Sequence, residues 1–234
     1  ALAMTERDGA GGESRGRVLL LANGQPPGRK FWKRLRSCCD ALVCVDGGAD
    51  TARDLGAVPD VVVGDFDSVS HEARSAFAGV DWVQLDDQES SDLDKGLACV
   101  ADRGWRDVSV AGALGREPDH ALANIGLLLK YRRTLSVTLH DRRQDLFAVE
   151  GLWEWQPDGE RRISLLPVFG PCTVTSEGLL YPLRGLRLEM GVKDGLSNRA
   201  CGGAVRLECE GAPLLVCVER GGGGKPVFAP PLPA

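Results

Sequence analysis

Between residues 17 and 139, six short apolar runs alternate with helical stretches joined by short loops, and this alternation narrows the fold more than any other feature. The runs are 17–22 (RVLLLA), 41–45 (ALVCV), 61–63 (VVV), 82–85 (WVQL), 108–111 (VSVA) and 137–139 (VTL). The first ones are continuously apolar instead of alternating, as strands covered on both faces must be. The intervening pattern predicts helices over 29–39, 49–55, 71–77, 92–102 and 119–133. Ser70 is placed to cap the third. Leu122, Ile125, Leu128 and Leu129 share one face of the last. Strand and helix in turn, through short loops, imply a doubly wound parallel sheet, an α/β domain of Rossmann-like kind.

From about residue 145 the pattern changes. Runs at 146–149, 163–168, 173–176, 187–190, 205–210 and 214–218 are short and strand-like, separated by Gly, Pro and Asn with no helical stretch between. That predicts a small antiparallel β-sandwich. The chain accordingly divides into a flexible segment 1–16, an α/β domain 17–150, a β domain 151–220 and a loose Gly/Pro-rich tail 221–234.

Charge and cysteine usage exclude several classes. The chain has 28 Lys and Arg against 33 Asp and Glu, a formal net charge of −5. Binding to a nucleic-acid backbone needs a basic surface, so no nucleic-acid partner is expected. No apolar run is long enough to span a bilayer and the start carries no apolar leader, which makes a cytoplasmic protein without a membrane partner the expectation. The eight cysteines include no C-x-x-C pair, and the three histidines are not spaced with them. Neither a disulfide framework nor a zinc site is expected.

In an open α/β sheet, ligands bind beyond the carboxyl ends of the strands. Those positions hold Asn23-Gly24, Asp46-Gly47-Gly48, Asp65-Phe66-Asp67, Asp87 with Asp92, and the stretch 112–119. Asp65 and Asp67 alternate about Phe66, which at a strand end puts both carboxylates on one side. Paired carboxylates repel unless a cation or proton lies between them, and hard oxygen ligands suit Mg²⁺. A plain turn satisfies the same residues. Asp92 and Lys95 share a helical face, either as an exposed ion pair or as a third carboxylate and a phosphate-binding cation at the rim. Gly47 and Gly48 allow close backbone approach and helix-start amides for an anion. The Walker loop and G-x-G-x-x-G are absent, which disfavours P-loop NTPases and dinucleotide dehydrogenases.

Taken together, VDGGAD at 45–50, GDFDSV at 64–69, DQESSDLDK at 87–95, GALGREPDHALAN at 112–124 and GLSN at 195–198 resemble the thiamin pyrophosphokinases. The likeness runs over roughly residues 17–220. It implies an α/β domain followed by a β-sandwich, a homodimer with active sites between subunits, and transfer of a diphosphate group from ATP to the hydroxyl of thiamin with release of AMP. By the family pattern, Asp65, Asp67 and Asp92 hold Mg²⁺ with the ATP phosphates. Asp46 lies near the thiamin hydroxyl or the metal, and Asp46 and Asp67 are both candidates for the base. Gln88 and Lys95 lie near the phosphates, Asp119 and Asn124 belong to the nucleotide side, and Ser197 and Asn198 help to form the thiamin pocket.

The chain departs from the pattern at one place. Where the family reads G-G-R-x-D-H, this sequence has Arg116 for the second Gly and Glu117 for the Arg. A carboxylate does not replace a guanidinium beside a phosphate, so Arg116 would supply that charge from one position earlier. Three rival readings stand beside the first: a pyrophosphokinase for another hydroxymethyl heterocycle such as a pterin, a phosphatase using Asp65 as nucleophile, and a thiamin- or nucleotide-binding protein without catalysis.

Overall fold

The structure, a computed structural model, describes residues 16–87, 89–221 and 224–232. Gln88 and nearly all of the expected flexible segment lie outside them. Six parallel strands form one half of the sheet: β1 (Arg17–Leu21), β2 (Ala41–Val45), β3 (Val61–Gly64), β4 (Asp81–Gln84), β5 (Asp107–Ala111) and β6 (Ser136–His140). Their spatial order is β4-β3-β2-β1-β5-β6. The helices between them are α1 (Arg29–Arg36), α2 (Gly48–Asp54), α3 (His71–Ala76), α4 (Asp92–Asp102) and α5 (Pro118–Tyr131). No helix among the described residues is long and apolar enough to cross a membrane.

The apolar runs are continuous because both faces of the sheet are covered. Val18 and Leu20 join the core beneath α4 and α5, whereas Leu19 and Leu21 join the core beneath α2 and α3. Ser70 caps α3 as expected, its hydroxyl accepting from Ala73 N–H at 3.1 Å. The approach of α2 to β1 depends on Gly48. A Cβ there would lie 2.0 Å from the carbonyl oxygen of Leu21, a backbone atom that cannot turn aside. Gly48→Ala is therefore expected to cost about 1–3 kcal/mol in urea unfolding, the cost of forcing packed elements apart; an unchanged midpoint would contradict this.

The remaining strands are antiparallel: β7 (Gln144–Trp155), β8 (Glu160–Leu166), β9 (Cys172–Glu177), β10 (Leu186–Leu188), β11 (Gly195–Cys201) and β12 (Val205–Glu219). β7 pairs with β6 at one end, so the sheet continues from the parallel half into the antiparallel half. β12 pairs with β7 along its length, and on its other edge with β9 near its start and β8 near its end. Two layers thereby share the long strands and enclose Phe147, Ile163, Leu165, Val174, Leu207 and Val216. All eight cysteines are free.

Three expectations about this half need correction. The division at 150/151 falls inside β7, where Gly151 at φ +69° bends the strand without ending it. The runs 205–210 and 214–218 are one strand with a bulge opposite that bend. Residues 195–201, read only as a motif, form β11. The tail is also docked, not loose, over 224–232. Val227 N–H donates to Asp145 Oδ2 at 2.7 Å and Ala229 N–H to Thr138 Oγ1 at 2.7 Å. The Arg17 guanidinium lies 3.8 Å from the centre of the Phe228 ring. Asp145 itself is fully buried, held by Arg220 and by His140 Nδ1 at 2.7 Å, while His140 Nε2 meets Ser109 Oγ at 3.1 Å. His140, assigned no role from the sequence, is thus part of a buried network that anchors the tail.

Candidate active site

The carboxyl ends of β1, β2, β3 and β5, with the loop before α4 and the start of α5, enclose a cleft of about 460 Å³. Its lining includes Asn23, Asp65, Asp87, Asp92, Lys95, Arg116, Glu117 and Asn124. The strand ends therefore do converge on one rim.

Asp46, Asp65 and Asp67 offer carboxylate oxygens that all lie within 4.8 Å of one another. Asp65 and Asp67 do share a side, but through a turn and not strand alternation, because β3 ends at Gly64. Phe66 sits at φ +69° with its ring buried edge-on against Trp82 at 5.1 Å. A bulky residue in the left-handed region is strained and persists only where packing enforces it. Asp46 also has positive φ, +47°, and is only 2% exposed. Ser68 Oγ donates to its Oδ2, yet its buried Oδ1 has no hydrogen-bond partner among the described residues. An unpartnered buried carboxylate oxygen is costly unless something else satisfies it. Three carboxylates around such an oxygen fit a hard divalent cation.

Lys95 lies beside this cluster. Ser91 caps α4 through Asp94 N–H at 3.3 Å, which fixes Asp92 and Lys95 in the first turn. The Lys95 side chain is 5% exposed, with Nζ 3.4 Å from Asp65 Oδ2 and 3.5 Å from Asp92 Oδ1. Burial pulls the ammonium down, but Asp92 and Asp65 outweigh it and hold Lys95 above its ordinary value. Asp65 is held below the usual carboxylate range by the N–H of Asp67, with Lys95 assisting. Asp92 is pushed up, first by burial and then by Asp46.

The raised Asp92 has a consequence for stability. A carboxyl whose folded-state value lies above its unfolded one stabilises the fold in acid, and that contribution disappears as pH rises through the folded-state value. At pH 7 the metal-free protein therefore carries an unfavourable charge. Asp92→Asn is expected to melt higher than the parent at pH 7 without added metal, the gain shrinking as the pH is lowered. A lower melting temperature at pH 7 would mean that the contact with Lys95 dominates instead.

On the opposite wall, Asn124 Nδ2 donates to Ala113 O at 2.7 Å and so clips the Gly-rich turn. Asp119, exposed and outside the lining, accepts at Oδ1 from His120 N–H at 2.9 Å. Arg116 lines the cleft with Nη1 3.4 Å from Asn23 Oδ1, and Glu117 lines it as well, 3.3 Å from His120 Nε2. The guanidinium is thus present at the rim, one position early.

Gly47 and Gly48 do not line the cleft; both are explained by close packing. Ser197 and Asn198 are not brought to it either, since no lining residue lies beyond Asn124. Asn198 is 4% exposed and uses its amide to clip Tyr181, donating to its carbonyl at 2.6 Å and accepting from its N–H at 3.1 Å. Ser197 has φ +58°, and its N–H donates to Ser164 Oγ at 3.1 Å. Asn23, which lines the cleft, and Ser68, which bonds Asp46 behind it, carried no assigned role from sequence; a polar residue after an apolar strand run was the available signal for the first.

A sequence profile described as the thiamin pyrophosphokinase catalytic domain matches residues 32–139. The thiamine pyrophosphokinase of Bacillus subtilis is 29% identical over 161 residues, which cover 66% of this chain and 75% of that protein. Thiamine pyrophosphokinase 3 of Oryza sativa is 27% identical over 211 residues, 77% of this chain and 78% of that one. Among solved structures, thiamin pyrophosphokinase from Candida albicans superposes with a TM-score of 0.79 over 88% of this chain and 89% of its own, at 20% identity, a likeness of fold. The matched profile lies over the segments that carry Asp46, Asp65, Asp67, Asp92 and Lys95, and the relatives align along most of both chains: over most of its length the chain is similar to the thiamin pyrophosphokinases.

Proposed function

We propose that the protein transfers the terminal diphosphate of ATP to the hydroxyl of thiamin, forming thiamin diphosphate and AMP. The observation that carries this reading is the buried Asp46, with one carboxylate oxygen unpartnered among the described residues, set with Asp67 against Asp65, which lines the cleft and lies beside Lys95. Asp46, Asp65 and Asp67 would hold Mg²⁺, with Asp92 at the edge of the set, and the ion would supply charge neutralisation for the phosphates. The thiamin oxygen bonds to the β-phosphorus, the bond from that phosphorus to the α–β bridging oxygen breaks, and AMP departs with that oxygen. The hydroxyl proton passes to a carboxylate, with Asp46 and Asp67 the available acceptors. Lys95 presents an ammonium to the developing phosphate charge, in a site where water is largely excluded from it. Arg116 adds a second cation on the opposite wall.

Ser197 and Asn198 lie away from this cleft, in a half of the molecule that exposes Leu180, Tyr181, Leu186, Met190, Val192 and Leu196. In the proposed homodimer, this half of a second copy completes the acceptor pocket. The test is one assay: purified protein with ATP, MgCl₂ and thiamin, followed by chromatography. AMP and thiamin diphosphate should appear in equal amounts. Folded protein that forms neither product would overturn the proposal, and competition with a hydroxymethylpterin would then test the acceptor.

A further inference from the structure

A hydrogen-bonded chain runs from the cleft lining to the acidic cluster. Arg116 Nη1 reaches Asn23 Oδ1 at 3.4 Å, Asn23 Nδ2 reaches Ser68 Oγ at 3.3 Å, and Ser68 Oγ reaches Asp46 Oδ2. Its polarity is set at both ends. A guanidinium only donates and a carboxylate only accepts, so the Asn23 amide and the Ser68 hydroxyl each have one consistent orientation. The chain ends on the carboxylate whose other oxygen is buried and unpartnered among the described residues.

Gly47 supplies an independent observation. Its backbone is ordinary, at φ −57° and ψ −5°, so no conformational demand selects glycine there. A Cβ at this position would instead fall 2.5 Å from Asn23 Nδ2. The glycine that follows Asp46 thus leaves room for the Asn23 amide.

We propose that Asn23 and Ser68 are positioning residues for the cation-binding carboxylate of Asp46, holding one oxygen so that the other remains free for the ion. This rests on the diphosphate-transfer reading of the cleft and assigns work to two residues outside the acidic set. Groups that orient metal ligands commonly matter about 10–100-fold in metal affinity, although they never touch the ion. Neither residue is expected to hold the fold together, since both are exposed.

The test is Mn²⁺ binding to the full chain without nucleotide, followed by electron paramagnetic resonance, with thermal melting of every variant. Asn23→Ala and Ser68→Ala should each bind Mn²⁺ about tenfold more weakly at near-parental melting temperature. Ser68→Thr keeps the hydroxyl and should restore affinity. Gly47→Ala leaves Asn23 in place chemically but displaces its amide, and should behave like Asn23→Ala. Parental affinity in Asn23→Ala and Ser68→Ala, or a loss in Ser68→Ala that Ser68→Thr does not restore, overturns the proposal. Asp65→Asn separates the two levels of argument. If it weakens binding while the positioning variants do not, only the positioning role falls. If the parent itself binds no Mn²⁺, the cation reading falls and this inference falls with it.

Discussion

Asp67→Ala is expected to lower turnover by about 10³-fold or more while the protein melts as the parent does. A loss of that size corresponds to about 4 kcal/mol of transition-state stabilisation, the scale of removing one preorganised electrostatic group from a reacting phosphate site. Asp67 tests the assignment more cleanly than Asp46 or Asp65. Its side chain is exposed and has no hydrogen bond or ion pair among the described residues, so the fold does not depend on it. Asp46, by contrast, is buried and bonded to Ser68, and its removal would disturb the turn as well as the chemistry. An exposed turn aspartate with no ligand to hold would be neutral to within about 0.5 kcal/mol in stability and silent in activity. The two readings of the G-D-F-D-S segment therefore predict opposite results for one substitution. Turnover is read from AMP and thiamin diphosphate at saturating ATP and Mg²⁺. Parental turnover in a normally melting variant would remove Asp67 from the cation set.

How far the sequence reached depends on the distance over which each feature is decided. The buried parallel strands were legible because covering both faces leaves a continuous apolar run, as in β1 and β2. Ser70 was legible because a cap is settled within one helical turn. The antiparallel half was harder. Gly151 and the Gly-Ala-Pro stretch at 211–213 look like turns, yet the ladder between β7 and β12 carries both strands through a matched bend. A glycine in a strand interior can mark either a break or a bulge, and only the partner strand decides which. The docked tail has the same origin, since the groups that hold it, Asp145 and Thr138, lie 82 and 91 residues away in the chain. Within the site, the acidic residues stood out because their types advertise their chemistry. Asn23 and Ser68 did not, for their role exists only once β1, β2 and β3 bring three loops together. The same assembly changes the account of Gly47, from an anion-binding turn to the space an asparagine amide occupies.

Lys95→Met is expected to move catalysis and cation binding in opposite directions. The ammonium is nearly buried and lies within 3.5 Å of both Asp65 and Asp92, so it already serves as a fixed positive charge among the carboxylates. Methionine keeps the unbranched apolar stem, one atom shorter, and removes the charge. Turnover should fall about 10²–10³-fold, because the transferring phosphates lose a donor held in place before they arrive. Mn²⁺ affinity without nucleotide should rise about tenfold, because like charges a few ångströms apart at an effective dielectric near 20 repel by more than 1 kcal/mol. The pH dependence should change in a defined direction as well. Lys95 lowers both Asp65 and Asp92, so without it both carboxyls titrate at higher pH. Protons then compete with the cation sooner as the solution is acidified. The variant should bind Mn²⁺ more tightly than the parent at pH 7 and lose that advantage first on acidification. Weaker binding at pH 7 would show that Lys95 holds the carboxylates in place for the ion, and would reassign it from phosphate partner to scaffold of the acidic cluster.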